Sequence, residues 1–140
     1  MKYKLQNSIA FKVSQTANKL NNDFNKVLNN YNIAPEQRAT LEIIQNDKDI
    51  NQTKIAQILG KDKTTICRSL TSLEKKGLIT KSEIKNDKRV NILKLTKKAE
   101  EVLEESKESV YEYREKLSQS LNKDEIKMLF SLLEKITKNV

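Results

Sequence analysis

Histidine and tryptophan are absent from this 140-residue chain, and cysteine and proline occur once each. Without histidine there is no Ser-His-Asp or Cys-His pair, no histidine metal ligand and no histidine proton shuttle. The single Cys67 excludes an internal disulfide framework and a cysteine-based zinc cluster. Two glycines, Gly60 and Gly77, are too few for a phosphate-cradling loop. No run approaches the roughly 18 apolar residues of a membrane-spanning helix. The first residues carry no apolar core followed by small residues, so no secretory signal and a cytoplasmic location are expected. No acid–base or nucleophile constellation is visible, so the expectation is a non-enzyme without cofactor or metal. The length predicts one domain, residues 1–140, large enough to bury a core without cross-links.

Charge is abundant and uneven. The net charge is +8, yet residues 51–98 hold thirteen basic and four acidic residues, and the remainder nets −1. The lysine and asparagine richness is also what an AT-rich genome produces, but such a bias spreads along the chain. A +9 excess within 48 residues instead reads as a surface for a polyanion.

Apolar spacing organises the rest. Ile9, Val13, Ala17, Leu20, Phe24, Leu28 and Tyr31 form one stripe on a long helix over about 5–31. Pro35 suits the first turn of a second helix with Leu41 and Ile44 on its buried side. Asn51 is placed to cap a short helix that Gly60 ends, and Asp62 to cap another, running to about Lys76, that Gly77 stops. Two short helices around a glycine-containing turn are a helix-turn-helix pattern. Residues 78–84 and 89–95, around the polar turn 85–88, predict a β-hairpin directly after it, the layout of a wing. Thr96 is placed to cap a helix whose residues Ala99, Leu103, Ser106, Val110, Tyr113 and Leu117 recur as in a coiled-coil seam. Its other face is acidic. Asn122 and Glu125 predict a capping box opening a last helix, with Ile126, Leu129, Phe130, Leu133 and Ile136 on its apolar face. The fold class is thus mainly α with a small β-hairpin wing: a winged helix-turn-helix core at 35–96, flanked by long helices in 1–34 and 97–140.

Stepping 100° per residue from Ile66 puts Leu70 and Leu73 within about 40° of it, the buried side. Thr64, Arg68, Thr71 and Lys75 fall opposite, flanked by Thr65 and Ser72. Arg68 suits bidentate bonding to guanine O6 and N7. Lys61, Lys63, Thr64 and Thr65, at the helix start, suit phosphate oxygens. Arg89, with Lys85 and Lys88 near, suits a narrow A·T-rich minor groove, while Asp87 shapes the turn or orients Arg89. A solvated helix face and an edge-strand charge are the plainer readings of the same residues.

Leu59 to Arg68, continuing through Leu73-Glu74-Lys75-Lys76-Gly77-Leu78-Ile79, together with Asn86-Asp87-Lys88-Arg89-Val90 and the closing Leu95-Thr96, resembles the MarR family of bacterial transcription regulators. The resemblance runs over essentially the whole chain. It implies a homodimer held by the first, fifth and sixth helices, with helix 63–76 in the major groove and Arg89 in the minor groove. It also implies repression at short palindromes, relieved by a small molecule or oxidant. Two departures stand out: Ala99 replaces a common glycine, and residues 1–34 lack the cysteine of the family's thiol sensors. Cys67 reads as a small packing residue, with steric loss of DNA binding on oxidation as the alternative.

The long terminal helices carry more apolar surface than a small central module covers, which predicts a homodimer seamed by Ile9, Val13, Leu103, Val110, Tyr113, Leu117, Leu129, Leu133 and Ile136. A cleft lined by Phe11, Phe24, Tyr31 and Ile44 is the candidate for a small-molecule effector, although such residues also serve as plain core. The leading function is a homodimeric repressor of double-stranded DNA operators. A SarA-like activator or architectural protein, and a small-molecule or redox sensor, are the alternatives.

Overall fold

The computed structural model of the protein describes residues 4–84 and 87–138, and between 83 and 91 the backbone alone. Two compact units result, Met1–Ser106 and Lys107–Val140.

In the first unit, Ser8 decides where the first helix begins. Its hydroxyl accepts from the Phe11 N–H at 3.2 Å while its own backbone stays extended. Helix α1 therefore spans Ile9–Leu28, and the expected single helix over 5–31 ends at both sides in a 3₁₀ turn, Leu5–Asn7 and Asn29–Tyr31. Asn32 follows with φ +53°, a left-handed residue that turns the chain towards Pro35. Helix α2, Pro35–Asn46, buries Leu41 and Ile44 as its spacing predicts, and also Arg38 and Thr40.

Helix α3, Gln52–Leu59, is capped by Asn51 Oδ1 on the Lys54 N–H at 2.9 Å, and α4, Lys63–Lys75, by Asp62 Oδ1 on the Thr65 N–H at 2.7 Å. Both end alike. Gly60 (φ +66°) and Gly77 (φ +74°) are left-handed, and each next N–H reaches back to the carbonyl five residues before it, Lys61 to Ala56 and Leu78 to Leu73. Strands β1, Ile79–Ile84, and β2, Asp87–Leu95, pair antiparallel from Ile79↔Leu95 to Glu83↔Asn91. The register then shifts so that Ile84 pairs with Asp87. Asp87 and Lys88, expected in the turn, are thus strand residues, and Lys85 and Asn86 lie outside the described residues.

Thr96 closes the hairpin onto the helix-turn-helix. Its Oγ1 donates to the Gly77 carbonyl at 2.6 Å and accepts from the Ala99 N–H at 3.2 Å, opening α5, Lys97–Gln119. The core of this unit joins Leu28 and Ile33, Leu41 and Ile44, Ile55, Ile66, Leu70 and Leu73, Leu78, Ile79 and Leu93, and Ala99 and Leu103. Each buried leucine or isoleucine contributes about 1.5–3 kcal/mol.

The second unit holds the rest of α5 and helix α6, Lys123–Thr137. The predicted capping box is present: Glu125 N–H donates to Asn122 Oδ1 at 2.8 Å and Asn122 N–H to Glu125 Oε1 at 3.0 Å. Met128, Leu129, Phe130, Leu132 and Leu133 of α6 are exposed, as are Ile9, Val13 and Leu20 of α1 in the first unit.

The expected seam on α5 is corrected in part. Ala99, Leu103, Ser106 and Val110 are buried within the chain. Leu103 and Val110 are therefore not on an open face; only Leu117 is exposed, with Tyr113 intermediate. A seam of this period packs equally well on its own chain or on a copy, so spacing alone does not distinguish the two.

Candidate nucleic-acid interface

Helix α4 buries Ile66, Leu70 and Leu73, which turns the opposite face outwards as the wheel predicts. Lys61, Lys63, Thr64, Thr65, Arg68 and Lys75 are exposed. Thr71 and Ser72 are half-buried, and both hydroxyls are engaged. Thr71 Oγ1 donates to the Cys67 carbonyl at 2.9 Å, and Ser72 Oγ accepts from Gln37 Nε2 at 3.3 Å. Ser72 thus turns towards α2, away from the outward row. Cys67, read from the sequence as a packing residue, is exposed instead, because its position lies one residue past the buried Ile66. It shares an open depression of about 340 Å³ with Arg68, Thr71, Ser72 and Lys75.

The start of α4 differs from a bare anion site. The carboxylate of Asp62 takes the Thr65 N–H, and that hydrogen bond, aided by the Thr65 side chain and the charge of Lys61, holds its pKa below the usual 3.8. A phosphate at this turn would meet hydroxyls and lysines, with the Thr65 N–H already used. Lys61 Nζ lies 3.7 Å from Glu36 Oε2 in an exposed pair, weak enough to exchange Glu36 for a phosphate. Gln52 Nε2 donates to the Lys63 carbonyl at 3.3 Å and ties this end of α4 to α3.

The far end of α4 is held by residues the sequence reading passed over. Gln37 bonds Ser72 and accepts from Lys76 Nζ at 3.0 Å, while Lys98 Nζ donates to the Lys76 carbonyl at 2.9 Å. Gln37 stands at the third helical position after its cap, where its Oε1 accepts the Ala34 N–H at 3.1 Å. That position was its one visible signal. In the wing, Asp87, Lys88 and Arg89 lie on β2 by their backbone; their side chains, and Lys85 entirely, lie outside the described residues.

The four proposed effector-pocket residues are not brought together. Phe24 lines an open cleft of about 470 Å³ with Asn21, Pro35, Glu36, Leu59 and Lys61. Ile44 lines a different one, about 550 Å³, with Lys48, Lys94 and Glu100. Tyr31 Oη donates to the Glu105 carbonyl at 3.2 Å and lines neither, nor does Phe11. The reason is geometric: Phe11 and Phe24 are about 20 Å apart along one helix. Among the described residues no His, Cys, Asp and Glu cluster could hold a metal ion, and no helix is long and apolar enough to cross a membrane.

Comparison with known proteins bears on this geometry. Residues 33–90 match the MarR family. A structure of MepR from S. aureus in complex with DNA superposes with a TM-score of 0.85 at 21% identity, covering 95% of this chain and 98% of that one. The transcriptional repressor CouR bound to a 23-mer DNA duplex gives 0.81 at 26% identity, covering 98% and 99%. CouR bound to p-coumaroyl-CoA gives 0.83 at 23% identity, covering 100% and 99%.

Proposed function

We propose, from the place of its winged helix-turn-helix segment in the MarR family, that this chain is a homodimeric repressor. It would bind palindromic double-stranded DNA operators in a sequence-specific way and let go on binding a small ligand. The observation that carries the reading is the outward row Lys63, Thr64, Arg68 and Lys75 on α4, directly before a hairpin and inside the segment of +9 charge. Such a row fits a major groove, with Arg68 on base edges and the lysines on phosphates. The DNA complexes of MepR and CouR support it. The exposed apolar residues of α1 and α6 supply the surface for a second copy, which would set two recognition helices about 34–36 Å apart. The protein acts in this reading as a DNA-binding regulator in the cytoplasm and not as a catalyst.

The CouR complex with p-coumaroyl-CoA favours effector control, and the Phe24 cleft is the candidate seat, because Lys61 at its rim is an exposed lysine just before α4.

The test is fluorescence anisotropy on DNA upstream of the gene against a scrambled duplex, at several salt concentrations. A preference of about 10³ or more is the expected result. Arg68→Ala should lose about 1–3 kcal/mol and relax one base position, while Lys63→Ala should weaken all duplexes alike and reduce the salt slope by about 1. Equal, steeply salt-dependent binding to both duplexes would point to the architectural alternative.

A further inference from the structure

We propose that Gln37 is a positioning residue for operator discrimination, acting through the recognition helix by fixing its roll against α2. The inference rests on the DNA reading above. Apolar packing through Ile66, Leu70 and Leu73 decides which face of α4 turns inwards but leaves the last degrees of roll open, because the hydrophobic effect is non-directional. Direction has to come from hydrogen bonds. At the start of α4 these run to α3, through Gln52 and the Lys63 carbonyl. At its end Lys98 Nζ of α5 holds the Lys76 carbonyl at 2.9 Å, and two further bonds meet on one side chain of α2. Gln37 Nε2 donates to Ser72 Oγ at 3.3 Å, and Gln37 Oε1 accepts from Lys76 Nζ at 3.0 Å. Lys76 Nζ also donates to the Asn32 carbonyl at 3.1 Å. Ser72 and Lys76 are one turn apart on the same side of α4, one before and one after the buried Leu73, so the pair of bonds holds one edge of the helix along its last core contact.

The platform is itself anchored. The neighbouring Arg38, 4% exposed, reaches Ser106 Oγ and the Leu103 carbonyl on α5. Consecutive residues of α2 thus hold α4 and α5. Gln37 suits its place chemically, since its carboxamide both donates to Ser72 and accepts from two partners, Lys76 Nζ and the Ala34 N–H.

Arg68 stands one turn before Ser72. A side-chain tip about 6 Å from the helix axis moves about 1 Å for a 10° roll. A base contact does not survive that shift, because hydrogen bonds weaken steeply outside about 2.7–3.2 Å. Lysines on phosphates tolerate it. Loss of the Gln37 grip should therefore cost specificity and spare the electrostatic part of binding.

The test begins by selecting sites for the wild-type protein from a pool of random duplexes. Wild type, Gln37→Met, Gln37→Glu, Ser72→Ala and the Gln37→Met/Ser72→Ala double variant are then titrated with the selected and a scrambled duplex across salt. Methionine keeps the shape without the hydrogen bonds; glutamate accepts from all three partners once the Ser72 hydroxyl rotates. Gln37→Met should lower the selected-to-scrambled ratio about tenfold, with scrambled affinity and salt slope unchanged. Gln37→Glu should restore most of the ratio, and Ser72→Ala should add nothing in the methionine background. An unchanged ratio in Gln37→Met overturns the proposal. So does a loss on both duplexes that follows a fall in thermal stability, since that is a purely structural role. If wild type enriches no sequence, the DNA reading fails first. Hydrogen exchange at the Ser72–Gly77 amides then judges the grip alone: faster in Gln37→Met if it holds the helix, unchanged if it does not.

Discussion

The Nε–H of Arg38 donates to Ser106 Oγ across 2.9 Å, joining the second helix to the fifth. The guanidinium also reaches the Leu103 carbonyl and pairs with Glu42, and Ser106 Oγ donates to the Val102 carbonyl at 2.6 Å. Among the described residues no buried side-chain polar atom lacks a partner. A charge inside a core of leucine and isoleucine is tolerated only when it is paired and hydrogen-bonded.

Removing that charge alone should therefore cost more than replacing the pair. Arg38→Ala is expected to lower stability by about 2–4 kcal/mol, through the cavity and the hydrogen bonds lost at Ser106 and Leu103. The Arg38→Met/Glu42→Leu double variant should stay within about 1 kcal/mol of wild type. Equilibrium urea unfolding at constant m-value checks both.

The cap on α4 makes a pH prediction. The hydrogen bond from the Thr65 N–H lowers the Asp62 pKa below 3.8, so the ionised form is favoured in the folded state. Its contribution is fully present above the unfolded value and is lost as the pH falls through the folded one. The penalty of Asp62→Ala should thus be complete at neutral pH and shrink below pH 3.8. Carboxyl NMR titration and urea midpoints at about pH 7 and pH 3 test the sign.

Gly60 offers a backbone test free of packing. Nothing lies within 4 Å of a Cβ built there, yet its φ is +66°. Gly60→Ala should cost about 1 kcal/mol from the left-handed conformation alone. Thermal unfolding should show Gly60→Asn as the milder change, because asparagine visits this region more readily.

Assembly is tested on α6. Leu129 and Leu133 are 42% and 38% exposed in the single chain. If they meet a second copy, Leu129→Glu/Leu133→Glu buries two carboxylates in an apolar interface. The dimer dissociation constant should then rise at least about a hundredfold by sedimentation. An unchanged mass in wild type and variant would place the interface elsewhere.

Local signals in this chain were legible because they act over three to five residues. Asn51, Asp62 and Thr96 cap where the reading put them, and Asn122 with Glu125 forms the expected box. Gly60 and Gly77 end their helices in the left-handed conformation. The outward face of α4 followed from a 100° wheel, because Ile66, Leu70 and Leu73 leave only one side to bury.

What the spacing left open was which surface meets which. The α5 stripe reads the same for a core and for an interface, and the fold put Leu103 and Val110 inside. Ser72 looked like part of the outward row until Gln37, 35 residues away, claimed its hydroxyl. Arg38, which no local signal singled out, is buried against Ser106, 68 residues on. By itself the sequence determined the helices, their caps, the wing and the basic face, all products of short-range backbone and side-chain preference. Only the tertiary structure decided the partners of Gln37, Arg38 and the α5 stripe, because a contact across dozens of residues depends on how whole helices pack and leaves no local periodicity to read.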